Sequence, residues 1–156
     1  MKKKAKSTAN IIDNRRARFD YALSDEFSVG IVLTGPEVKA ARNNRVTLKG
    51  SYVNVKDGEL WLTNASFSVI HTEPGKSTTA VDTRPRKLLA KKREIAQIIA
   101  AKNQGSTVVP LSMSTKTNFI KLKIAIGKGK KQYDKRQTIK KRDTERENKR
   151  VLRSLG

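Results

Sequence analysis

The chain has 156 residues, with 35 Lys and Arg against 14 Asp and Glu, a formal net charge of +21 at pH 7. That length suits one domain, and self-repulsion of that size opposes compaction unless a polyanion neutralises it, which points first to nucleic acid and second to an anionic membrane surface. The absence of cysteine excludes disulfides and thiolate metal sites, the single His71 cannot anchor a His-rich metal site, and no apolar stretch reaches the roughly 20 residues of a spanning helix.

Met1-Lys2-Lys3-Lys4-Ala5-Lys6 is followed by Ser7-Thr8-Ala9-Asn10 rather than by an apolar signal core, so a cytoplasmic protein is expected. Three parts follow from the pattern: residues 1–14 as a basic flexible arm, residues 15–126 as the folded barrel, and residues 127–156 as a basic tail. Phe27 to Thr34 reads as a strand, with Gly30 marking a bulge or a close backbone approach. Gly35-Pro36-Glu37 opens a short helix to about Asn43, with proline in its first turn and glutamate at its positive end. Val46 to Leu48 and Tyr52 to Val55 are strands; Asp57-Gly58 is a hairpin turn leading into Glu59 to Thr63, and Ser66 to Ile70 follows. The polar run from His71 to Thr83, with Pro74-Gly75, reads as an exposed loop. A helix is expected from about Arg86 to Lys102, with Leu88, Leu89, Ile95, Ile98 and Ile99 on its apolar side. Thr107 to Met113 is a strand whose Pro110 belongs at an edge or a bulge, and the alternating Asn118 to Ile126 is the last strand.

Strands that do not alternate with helices argue against a parallel sheet. The expected fold is mainly β with short helices, a small antiparallel OB-like barrel. The tail from Asp134 onwards is helix-forming but has few apolar residues, so it is expected to be disordered alone and helical on binding.

Six collinear segments together resemble the SmpB family of tmRNA-binding proteins. They are Asn14 to Tyr21, Gly30 to Lys39, Ser51-Tyr52-Val53 with Asp57-Gly58-Glu59, Arg84 to Leu89 with Lys92 to Ile95, Val109-Pro110-Leu111, and Gly127 to Arg136 with Lys141-Arg142-Asp143. Phe19 stands where that family usually has histidine, and Ser28 where glutamate is common. The resemblance implies two RNA partners. The barrel would bind the tRNA-like domain of tmRNA (SsrA RNA) and deliver it to stalled ribosomes for trans-translation. The tail would enter the small-subunit decoding region and mRNA channel, where its helix stands in for codon–anticodon pairing. No enzyme activity, cofactor, metal or small-molecule substrate is expected, no membrane partner either, and the working form is a monomer.

The tmRNA-binding candidates are Asn14, Arg15, Arg16, Arg18, Glu37, Lys39, Arg86 and Lys87. The first four are a dense donor cluster suited to phosphate oxygens, or else a solvated basic segment. Glu37 either stabilises its helix end or bonds RNA bases and hydroxyls. Tyr52, with Lys39, could support that surface but is more often core. Arg86 and Lys87, at a helix start, would oppose the dipole and so favour a binding role; Leu88 and Leu89 are read as core. The tail candidates are Gly127, Lys128, Gly129, Lys130, Lys131, Tyr133, Asp134, Lys135 and Arg136. Their lysines and arginine neutralise rRNA phosphates, Tyr133 stacks on an rRNA base, and the glycines permit a change of direction. The alternative reading is a basic ribosomal or ribosome-assembly protein that binds rRNA.

Overall fold

Alternation opens the strand at the centre of this molecule, and its second half, from Ile124 to Gly127, is buried on both faces. In the run from Lys121, Leu122, Ile124 and Ile126 are buried while Lys121 and Lys123 face solvent, the period that one buried sheet face requires. The computed structural model describes residues 11–156, so the first ten residues of the expected arm lie outside the described residues. In chain order the elements are β1 (Ile11–Asp13), α1 (Arg15–Asp20), β2 (Tyr21–Ile31), α2 (Gly35–Arg42), β3 (Val46–Thr47), β4 (Tyr52–Lys56), β5 (Glu59–Thr63), β6 (Ser66–Glu73), β7 (Lys76–Asp82), β8 (Arg86–Leu89), α3 (Lys92–Asn103), β9 (Thr107–Ser114), β10 (Lys121–Gly129) and α4 (Gln132–Ser154).

Seven strands form an antiparallel sheet in the order β1-β9-β10-β2-β8-β5-β4. β4 also meets β9 where Val53 faces Val108, so the sheet curls back on itself around its core. Phe67, Leu60, Leu62, Leu122 and Ile124 fill that core with no exposed surface, and each such side chain contributes about 1.5–3 kcal/mol by leaving water. α3 packs Ile98 against the same cluster. A smaller sheet, β3-β6-β7, stands beside the large one. The OB-like, mainly β expectation matches this arrangement. Pro110 lies at an irregularity, as expected: it faces Ile124 where the β9–β10 register shifts.

Four local expectations are corrected. Arg86 to Leu89 is a strand rather than the start of the long helix, because β8 pairs with both β2 and β5, and alternation then buries Arg86 and Leu88 while Leu89 is 54% exposed. The polar run after Ile70 is a hairpin rather than a loop: β6 and β7 pair along their whole length around the turn at Pro74-Gly75, where Gly75 has φ +79. The last strand runs past Ile126 to Gly129 and pairs Gly127 with Leu23 and Gly129 with Tyr21. Ile11 to Asp13, expected in the arm, is a strand held on β9.

The structure holds the tail as one 23-residue helix, α4, the form expected of it on binding. None of its residues is buried, so no apolar face holds it against the barrel. It is tied instead along its first half, to the end of α1. The Lys130 amide donates to the Asp20 carbonyl at 2.8 Å, Lys135 Nζ lies 3.3 Å from Asp20 Oδ1, and the Arg142 guanidinium stands 5.8 Å from the centre of the Phe19 ring.

Candidate nucleic-acid interface

The first cationic surface is built on α1, and Asn14 is what holds it. The Asn14 side-chain amide donates to the carbonyls of Leu48 at 3.1 Å and Pro110 at 2.9 Å. Its Oδ1 accepts from the Ala17 amide at 3.3 Å, capping the helix. With 4% of its surface exposed, Asn14 is a bracket that ties α1 to the sheet and not an open donor. The three arginines it presents point outward: the side chains of Arg15, Arg16 and Arg18 are 94%, 59% and 52% exposed. Their acidic neighbours are loose for Arg15 and Arg18, 4.0 and 3.9 Å from Asp13, and exposed pairs of that kind contribute about 0–1 kcal/mol. A phosphate can therefore displace them at little cost. Arg15 and Arg16 share a groove of about 330 Å³ with Lys49.

Glu37 takes the helix-end reading. Its Oε2 accepts from the Thr34 amide at 2.9 Å, which satisfies a free N–H at the start of α2. Arg84 donates Nε to Oε1 and Nη2 to Oε2, both at 2.9 Å, and Arg86 Nε reaches Oε1 at 3.1 Å. The carboxylate, 2% exposed, has no edge left for a base. Desolvation alone would raise the Glu37 carboxyl; the Thr34 amide and the charges and hydrogen bonds of Arg86 and Arg84 outweigh it and hold the group below the usual carboxylate range. Arg86 is itself enclosed. It lies 3.8 Å from the centre of the Phe67 ring and donates to the carbonyls of Ala65, Arg84 and Asp82. Burial pulls its guanidinium below the ordinary arginine value, opposed by Glu37 and Asp82.

Of the remaining barrel candidates, Lys87 is half-exposed and bonded to Glu59 at 2.6 Å. Lys39 is exposed beside Pro36, Asn43 and Arg45 along a separate groove of about 220 Å³ against β6. The fold thus brings Arg15, Arg16 and Arg18 together on one short helix, places Lys39 and Lys87 on other elements, and withdraws Asn14, Glu37 and Arg86 from solvent.

In the tail set, Gly127 is buried within β10 and Lys128 and Gly129 are exposed at its end. Gly127 is glycine for lack of room: an added Cβ would meet Tyr21 Cβ at 3.1 Å and Leu23 Cδ2 at 3.2 Å. Lys131 and Arg136 are exposed and Lys130 is half-buried. Tyr133 is 68% exposed, and its hydroxyl accepts from Gln137 at 2.7 Å. Asp134 lies in the first turn of α4, where a carboxylate suits the helix dipole.

Sequence reasoning missed Asp20 and Arg84, and of its two readings of Tyr52, surface support or core, the 42% exposure fits the surface one. Asp20 bonds Arg16 Nε at 3.0 Å and pairs with Lys135 at 3.3 Å. Desolvation would raise its carboxyl, but the bonds and charges of Arg16 and Lys135 together hold it low. The alternation in β4 carried the signal for Tyr52, since Val53 and Val55 take the inward positions. Among the described residues no cluster of metal-ligating side chains occurs and no helix is long and apolar enough to cross a membrane.

Known proteins resemble this chain along nearly all of it. A family model described as "SmpB protein" matches residues 11–154. An SsrA-binding protein of Afipia carboxidovorans is 43% identical over 162 aligned positions, covering 99% of this chain and 98% of that protein. One of Ehrlichia canis is 48% identical, covering 92% and 97%. A chain solved in the structure described as "tmRNA-SmpB: a journey to the center of the bacterial ribosome" superposes with a TM-score of 0.64 at 35% identity, covering 80% of this chain and 87% of that one.

Proposed function

Because the chain belongs to the SmpB family, we propose that it is an RNA-binding adaptor which binds the tRNA-like domain of tmRNA and brings it to stalled ribosomes for trans-translation. The observation that carries this reading is the extent of the likeness: the matched residues 11–154 run through both α1 and α4, so the barrel and the tail are shared together. In this reading Arg15, Arg16, Arg18, Lys39 and Lys87 meet RNA, while Asn14, Glu37 and Arg86 shape the surface that carries them. The end of β10 and the tail after it serve the decoding region: Lys128, Lys130, Lys131 and Arg136 neutralise phosphates and Tyr133 stacks on a base. The protein performs no chemical step itself and works in the cytoplasm, where ribosomes stall.

Sequencing the RNA that copurifies with the tagged full-length chain at moderate salt tests it. A single strong enrichment of tmRNA is expected. Bulk rRNA without tmRNA would overturn the adaptor reading in favour of a ribosomal or assembly protein.

A further inference from the structure

We propose that the cleft between α1 and the turn before β4 is a pocket for one unstacked RNA nucleotide, with Tyr52 as its stacking platform. The inference rests on the RNA-binding role proposed above. The cleft encloses about 470 Å³, within the range of pockets that hold a small ligand and enough for a nucleobase with its sugar. Arg16, Asp20, Tyr21, Lys49 and Tyr52 are among the residues that line it. Arg16 and Lys49 are exposed cations that suit a phosphate, whereas the wall apolar enough to accept a base is aromatic.

Tyr52 is the informative residue. It begins a strand whose other apolar side chains, Val53 and Val55, turn inward, so its ring is on the solvent face by register and 42% exposed. An exposed aromatic flanked by Arg and Lys is the pairing that single-stranded RNA readers use, stacking for the base and cations for the backbone. The turn that carries Lys49 is held open in a defined shape. Gly50 has φ +76, its carbonyl accepts from the Asn64 side chain at 3.2 Å, and the Ser51 amide closes on the Leu48 carbonyl at 3.0 Å. The Asn14 bracket fixes the facing wall to the same Leu48 carbonyl, so both sides of the cleft are referred to one point of the backbone. A preformed cleft loses little entropy on binding. The nucleotide comes from tmRNA or from ribosomal RNA; the chemistry is the same, and the experiment separates the two.

Benzoyl-phenylalanine replaces Tyr52 in the full-length chain, which is photolysed with tmRNA alone and, separately, with stalled ribosomes. The expected result is a crosslink confined to one unpaired nucleotide, in tmRNA or in rRNA, and that result names the source. In parallel, Tyr52→Ala should weaken binding to that RNA about 5- to 150-fold, the loss of one stacked base, and Tyr52→Phe should restore it. Lys49→Ala should reduce the salt slope by about one contact. Crosslinks spread over paired regions of both RNAs, or unchanged affinity of a folded Tyr52→Ala chain for both, would overturn the pocket. Those outcomes with normal wild-type tmRNA binding leave the adaptor function standing; loss of wild-type binding to tmRNA would overturn the adaptor reading, and loss of binding to both RNAs would overturn the pocket with it.

Discussion

Lys135 Nζ lies 3.3 Å from Asp20 Oδ1, and through this pair the C-terminal helix is tied to the helix that carries the exposed arginines. Asp20 bonds Arg16 with its other oxygen. One carboxylate thus joins a residue from each proposed RNA surface. The Lys130 amide on the Asp20 carbonyl fixes the start of α4 at the same place.

Asp20→Asn should therefore loosen the beginning of α4 without unfolding the barrel. The partly exposed pair contributes about 0.2–1 kcal/mol, so amide exchange in the first two turns of α4 should quicken several-fold while exchange in β10 stays unchanged. The carboxyl is held low in the folded chain, so its contribution is present above the unfolded carboxylate value of about 3.9 and disappears as pH falls through the lower folded value. Equal exchange rates in variant and parent would contradict the tie.

Glu37→Gln should destabilise the barrel by up to about 3–5 kcal/mol, because buried Arg86 would lose its nearest counter-ion and keep only Asp82, 3.8 Å away and partly exposed. Urea melts measure this. The Glu37 carboxyl is depressed on folding, so the stability it adds is complete above about 4.3 and is lost as pH falls through the lower folded value. A variant that melts like the parent yet fails to bind RNA would restore the direct-contact reading of Glu37.

Gly127→Ala should cost about 1–3 kcal/mol by forcing β10 away from Tyr21 and Leu23. Gly129→Ala should melt within about 0.5 kcal/mol of the parent, since no atom lies within 4 Å of the Cβ that it would add. Matching behaviour of the two variants would argue that Gly127 serves as a hinge.

Affinity for tmRNA should fall steeply with salt, since each phosphate contact releases counterions. Replacing Arg15 and Arg18 together by alanine should weaken binding and lower the slope of log affinity against log salt by about two. An unchanged slope would remove α1 from the interface.

Local signals made much of the barrel legible. Asp57-Gly58 sets the β4–β5 turn with φ +53 and +72, and Leu122, Ile124 and Ile126 announce β10 by alternation. The errors arise where pairing is non-local. Leu88 and Leu89 continue the helical spacing of Ile95, Ile98 and Ile99, and only the partners Leu60 and Ile31 make that run a strand. β7 has six exposed residues out of seven, so it carries no apolar alternation. In the site, residue types were readable and burial was not. Asn14 looks like a donor beside three arginines, but its partners Leu48 and Pro110 lie 34 and 96 residues away. Glu37 meets its arginines across 47 and 49 residues. The family resemblance carried the partners, and the exposure of Arg15, Arg16, Arg18 and Tyr133 is consistent with them.

The division of labour between barrel and tail is tested most directly by Tyr133→Ala combined with Asp134→Ala, assayed for tmRNA affinity and for peptide tagging on stalled ribosomes. Both side chains are exposed beyond the barrel, so the account predicts affinity within about twofold of the parent, on the scale of surface substitutions, together with loss of tagging. Normal tagging by the double variant would contradict it.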